Sequence, residues 1–199
     1  MKQLWIALFF VSYLNAAAQK KTEKYVPVIG SGTVLHYSFG STNSMFIPIT
    51  VQLPEGGGMV MELALSEDFP GGPAPMTIRM SQASLDNATR SEWRQPIAHE
   101  TRVLPDDKMV GFSTTFVRTL KEKKSAIFDG ITYRLTEMTS DGEFMLGEQL
   151  LDALYMVSED GRTAYWLLNH PQYPIMLRSW GNRFGPDILL MAITGKPGK

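Results

Sequence analysis

The sequence predicts a mainly β fold of the β-rich α+β kind: an antiparallel meander forming a curved sheet or a partly open barrel or sandwich, with one or two short helices. Three observations predict it. Apolar residues alternate with polar ones at the two-residue period of half-buried strands. Asp-Gly dipeptides, which suit tight hairpins, recur in the C-terminal third. Helical spacing with a capping residue occurs in only two stretches.

Taking the elements in order, His36 points away from Leu35, Tyr37 and Phe39. Residues 44–53 then place Met45, Ile47, Ile49, Val51 and Leu53 on one face, and residues 59–65 repeat the pattern with Met59, Met61, Leu63 and Leu65. Both read as half-buried strands joined by a hairpin loop over 54–58. Pro48 lacks an amide donor and fits a sheet edge or a bulge. The proline- and glycine-rich stretch 69–75 reads as a surface loop rather than a domain linker, and residues 77–80 resume a strand. A short helix is predicted within 81–93, where Leu85, Ala88 and Trp93 fall at nearly helical spacing, a serine is available as cap, and Pro96 follows the end. A second is predicted over 113–122, with Phe116, Val117 and Leu120 on one stripe. Ser113 or Thr114 would cap it, and lysines suit its C-terminal dipole.

Asp129-Gly130, Asp141-Gly142 and Asp160-Gly161 supply the positive-φ residues of hairpin turns. The meander they imply has strands over 131–139, 153–158, 162–169, 175–180 and 188–194. Residues 147–154 are ambiguous and fit a helical turn. Ile131, Tyr133 and Leu135 alternate with Thr132, Arg134 and Thr136, giving one wetted face, whereas residues 188–193 are apolar on both faces and should be central. Displacing the chain by 31 residues superposes Asp129-Gly130-x-Thr132 on Asp160-Gly161-x-Thr163. Two similar hairpins account for that better than a duplicated unit does.

Lys2, an apolar run over 4–14 and the small-residue end Ala16-x-Ala18 read as a secretory leader, residues 1–18, that is removed. Its apolar run is too short to span a bilayer. Residues 19–24 and 196–199 read as flexible ends around a single β-rich domain over 25–195. The chain has no cysteine, which excludes a lipidated leader, disulfides, thiolate metal sites and cysteine nucleophiles. Without Lys2 it carries 18 basic against 20 acidic residues, so no global field draws nucleic acid or anionic membrane. No second stretch approaches membrane-spanning length. The expectation is a soluble secreted or periplasmic protein.

The local signatures of catalysis are missing: there is no G-x-S-x-G elbow, H-E-x-x-H zinc helix, P-loop, G-x-G-x-x-G after a strand, or S-x-x-K with its companions. Gly56-Gly57-Gly58 is a turn. His36, His99 and His170 follow no metal-ligand spacing. Met59-x-Met61 and Met76-xxx-Met80 resemble thioether clusters in composition, but they continue in register with Leu63, Leu65 and Ile78 and read as core. Glu148 with Asp152, and Asp106 with Asp107, are the nearest carboxylate couples, and sequence proximity does not give the cleft-spanning separation that glycoside chemistry needs. No catalytic residue, metal ligand or cofactor is therefore assigned. The aromatic residues give the candidate ligand-binding set: Trp166, His170, Tyr173, Trp180 and Arg183, with Asn182 beside them.

The succession Asn87-Ala88-Thr89 to Gln95-Pro96, Leu104-Pro105-Asp106-Asp107, residues 112–123 and especially Ala164-Tyr165-Trp166-Leu167-Leu168-Asn169-His170-Pro171-Gln172-Tyr173-Pro174-Ile175-Met176-Leu177 resembles uncharacterised exported proteins of Bacteroidota-type bacteria. The resemblance covers about the last half of the chain and implies an envelope or secreted β-rich domain. It carries no activity and no functional residue. The leading expectation is a non-catalytic protein that binds an apolar or amphipathic ligand, or an envelope partner, in a sheet-lined concavity. The alternatives are an envelope-polymer hydrolase with a site assembled from distant strands, and a structural or assembly protein.

Overall fold

Two-residue alternation builds the first four strands. In β1 (Val34–Phe39), β2 (Met45–Gln52), β3 (Met59–Ala64) and β4 (Pro75–Met80), one side of each strand is buried: Leu35 and Tyr37, then Ile47, Ile49 and Val51, then Met59, Met61 and Leu63, then Met76, Ile78 and Met80. The computed structural model describes residues 23–40, 44–138 and 143–195. The expected leader over 1–18, most of the stretch over 19–24, the tail over 196–199 and the Asp141-Gly142 turn lie outside the described residues.

After β4 the hydroxyl of Ser81 accepts the Ser84 amide and starts α1 (Gln82–Asn87). The helix is shorter than the window read from the sequence, and Trp93 lies beyond it. The physical reason is competition: the Asp129 carboxylate accepts both the amide and the hydroxyl of Ser91, at 2.8 and 2.7 Å. The chain there runs as β5 (Arg90–Ser91), parallel to β7 (Asp107–Lys108), while β6 (Thr101–Leu104) pairs parallel with β4. Ser113 caps α2 (Thr114–Lys123), which buries Phe116, Val117 and Leu120 as its stripe requires.

β8 (Ser125–Phe128) and β9 (Ile131–Thr136) form the hairpin that Asp129-Gly130 predicts, with φ of 52° and 72° at the two turn residues. Asp160-Gly161 makes a longer turn, closed by Ser158 N–H to Thr163 O and Gly161 N–H to Ser158 O, both 2.8 Å. The two Asp-Gly turns thus differ in geometry, as independent hairpins do. Residues 147–154 do not form a helical turn. Gly147, at φ 59°, turns β10 (Met145–Leu146) back on β11 (Gln149–Leu150), and β12 (Ala153–Ser158) follows. β13 (Ala164–Leu168), β14 (Met176–Trp180) and β15 (Ile188–Thr194) complete the order.

Eleven strands form one open sheet in the order β6-β4-β3-β2-β1-β15-β14-β13-β12-β9-β8, antiparallel except at β4-β6. The meander is real on both flanks, but its two halves meet where β1 pairs with β15. β15 lies sixth of eleven, central as its composition requires. Pro48 is not on an edge strand. β2 is internal, but its ladder with β3 begins at Ile49, so Pro48 stands just outside that ladder. The core is one continuous cluster from Ile29 to Leu190. At its centre the fully buried Tyr37 hydroxyl donates to the Met176 carbonyl at 2.6 Å, and burial pushes this phenol far above its ordinary pKa. No described helix is long and apolar enough to cross a membrane.

Candidate functional site

Register places a row of side chains across the outer face of the sheet. Tyr155 stands opposite Trp166, Trp166 opposite Arg178, Arg178 opposite Leu189, Leu189 opposite Ser38, and Ser38 opposite Phe46. Directly opposed residues of antiparallel strands share a face, so these six form one strip. Within it Tyr155 and Trp166 have ring centroids 4.6 Å apart, and the Arg178 guanidinium lies 5.0 Å from the Trp166 ring. Trp166 therefore stands between two neighbours. Trp180, two residues beyond Arg178, shares the outer face and is half exposed.

The β10-β11 hairpin and the outer face of β14-β15 enclose a groove of about 310 Å³. Its apolar walls include Met145 and Met191, each 50% exposed, and Leu189 at 37%. Arg178 supplies a cation and Glu143 an anion. Among the described residues no carboxylate lies within salt-bridge distance of Arg178. Thioether side chains adapt their shape to irregular apolar partners, which suits a wall of this kind.

His170 and Tyr173 sit at the other end of β13-β14, about 20 Å from Trp180 by strand rise. Their rings stack at 5.4 Å, and the His170 Nδ1 accepts the amides of Gln172 and Tyr173 at 3.2 and 3.0 Å. Burial lowers the His170 pKa, favouring the neutral ring. His170 lines a second cleft, about 220 Å³, against α2. Arg183 lies in the loop after Trp180 and pairs with Asp160. The Ser158 hydroxyl and Arg183 together hold the Asp160 carboxyl down at about 2. Asn182 ties the same loop to β13, its Oδ1 accepting the Tyr165 hydroxyl at 3.1 Å. The five sequence-predicted residues thus divide: Trp166 and Trp180 share the outer face, Arg183 adjoins them at the loop, and His170 lines the helix-side cleft with Tyr173 stacked on its ring.

One member of each carboxylate couple is engaged elsewhere. Asp107 pairs with Arg90 at 3.1 Å, and Asp152 accepts from the Asn169 amide at 2.8 Å. Met59 opposes Met80 inside the core. No group of three His, Asp or Glu side chains comes together among the described residues. Two buried cations escaped the sequence reading. Arg102 is satisfied by Glu100 and by the carbonyls of Arg94 and Gln95, with Glu92 at 3.5 Å. Lys108 donates at 2.6 Å to the Phe112 carbonyl, and burial depresses its amine to about 7 against a smaller upward pull from Asp86.

Arg178, Leu189, Met191 and Met145 were also missed. The available signal was strand parity, since Arg178 and Trp180 are two residues apart on one strand. The cross-strand register that puts Arg178 against Trp166 includes a bulge at Trp166/Leu167, which no sequence pattern announces. Comparison with known proteins finds no matching family model, no matching curated protein and no matching solved structure.

Proposed function

We propose that this chain is an exported, non-catalytic binding protein that takes an amphipathic ligand with an acidic head in the groove between the β10-β11 hairpin and β14-β15. The observation that supports this reading is the pairing of exposed Met145, Leu189 and Met191 with a guanidinium that has no carboxylate partner among the described residues. An apolar tail on the three side chains gains the burial that the fold leaves unused, at about 25 cal/mol per Å². An acidic head gains a charge-assisted bond to Arg178, whose planar fork suits a carboxylate. Stacking on Trp166 holds that fork in place. Export rests on the leader pattern of residues 1–18.

The test uses the mature chain and three twelve-carbon probes below their micelle concentrations: dodecanoate, the uncharged dodecyl maltoside and the cationic dodecyltrimethylammonium. Tryptophan fluorescence should respond saturably to dodecanoate, more weakly to the maltoside, and least to the cation. Arg178→Ala should weaken dodecanoate by roughly ten-fold and leave the maltoside unchanged. Equal response to all three heads, or none to dodecanoate, contradicts the reading.

A further inference from the structure

The helix-side cleft has features that the outer groove does not explain. Arg118 and Lys121 are three residues apart on α2 and so share its face. Neither has a carboxylate within salt-bridge distance among the described residues, even though Glu122 lines the same cleft. Lys121 is not left to wander. Its Nζ donates to the Asn169 Oδ1 at 3.1 Å, and the Asn169 Nδ2 donates to Asp152 at 2.8 Å, which fixes the amide and therefore the lysine. Arg118 is tethered in its turn by a bond to the Thr115 hydroxyl at 3.3 Å.

Across the cleft, His170 is fixed in one tautomer. Because its Nδ1 accepts two backbone amides, the proton of the neutral ring is on Nε2, turned away from those amides. Stacking against Tyr173 holds the plane of the ring. Arg118, Lys121 and His170 thus line one space of about 220 Å³, with the apolar Val117 and Pro171 completing its walls. Ordinary surface cations carry none of this preorganisation. All three groups are hydrogen-bond donors, and what they lack in common is an acceptor with negative charge.

We propose that this cleft is a second, separate site, for the oxyanion of a carboxylate- or phosphate-bearing ligand, with Arg118, Lys121 and His170 as its donors. Glu122 opposes that anion and limits the affinity. The proposal is independent of the outer groove: neither site contributes a residue to the other.

The experiment is an amide NMR titration of the mature chain with inorganic phosphate in one arm and acetate in the other, each against a sodium chloride control of equal ionic strength. Saturable shifts confined to α2 and residues 169–173 are expected in at least one arm. Saturation by phosphate alone assigns a phosphate-bearing ligand, and saturation by acetate alone a carboxylate. Arg118→Ala should weaken binding by roughly ten-fold, and Glu122→Gln should tighten it by about two-fold. Arg178→Ala should leave it unchanged, which separates this site from the groove. Shifts that track ionic strength across all basic residues, no saturation in either arm, or an Arg118→Ala variant that binds as the parent does would each overturn the proposal.

Discussion

On β15 four consecutive apolar residues meet two different fates. Ile188 and Leu190 face inward and are 2% exposed, whereas Leu189 and Met191 face outward at 37% and 50%. The same contrast runs across the sheet: Tyr37, Ile47 and Met61 are sealed, while Phe46 on the outer side of β2 is 66% exposed. Hydropathy alone does not separate these sets. The inner residues are apolar because the fold buries them, and the outer ones keep the same character without that burial. Their clustering about Arg178 and Trp166 gives that surplus a place.

The largest expected effects break the contrast from the inside. Leu190→Ala should cost about 2–5 kcal/mol in urea unfolding through lost burial and a cavity, whereas Leu189→Ala should cost less than about 1 kcal/mol. Similar losses for the pair would show that the outer face is also built for stability.

Lys108 sharpens the contrast, because it is a cation on the dry side. Its folded pKa of about 7 lies below the ordinary 10.5, so between those values the unfolded chain binds a proton that the folded chain refuses. Stability should therefore fall as pH drops from 10.5 toward 7, by on the order of 5 kcal/mol over the whole interval, and this contribution should be flat below 7. Lys108→Met should flatten the slope in unfolding measured from pH 7 up to where the unfolded tyrosines begin to ionise. Parallel slopes for parent and variant would contradict the assignment.

Smaller effects follow. Tyr37→Phe removes the donor to the Met176 carbonyl and should cost about 1 kcal/mol with packing retained. Met191→Ser should change the unfolding free energy by no more than about 0.5 kcal/mol, yet weaken dodecanoate.

Most of the inner face was legible because alternation and turn chemistry act locally. The Ile47, Ile49 and Val51 series, the Ser81 and Ser113 caps and the Asp129-Gly130 hairpin each depend on residues within a few positions of one another. The candidate site was harder to read because it is assembled at long range. Trp166 and Trp180 share the outer face through register, but His170, close to Trp166 in sequence, lies at the opposite end of the hairpin and lines α2's cleft, with Tyr173 stacked on it. Gly147 looked compatible with a helical turn until its positive φ and the pairing of Met145 with Leu150 made it a hairpin. That hairpin supplies the wall of the groove, so the ambiguous element and the missed residues share one cause. β1 joining β15 across the whole chain is likewise invisible to any local pattern.

Methionine provides the most direct test, because it populates both faces. With the methionine methyl groups labelled and observed by NMR during a dodecanoate titration, the Met145 and Met191 signals should shift saturably while those of Met61 and Met76 hold still. Arg178→Ala should shift the midpoint of that titration upward. Unmoved Met145 and Met191 signals, or equal movement of buried and exposed methyls, would contradict a ligand site on the outer face.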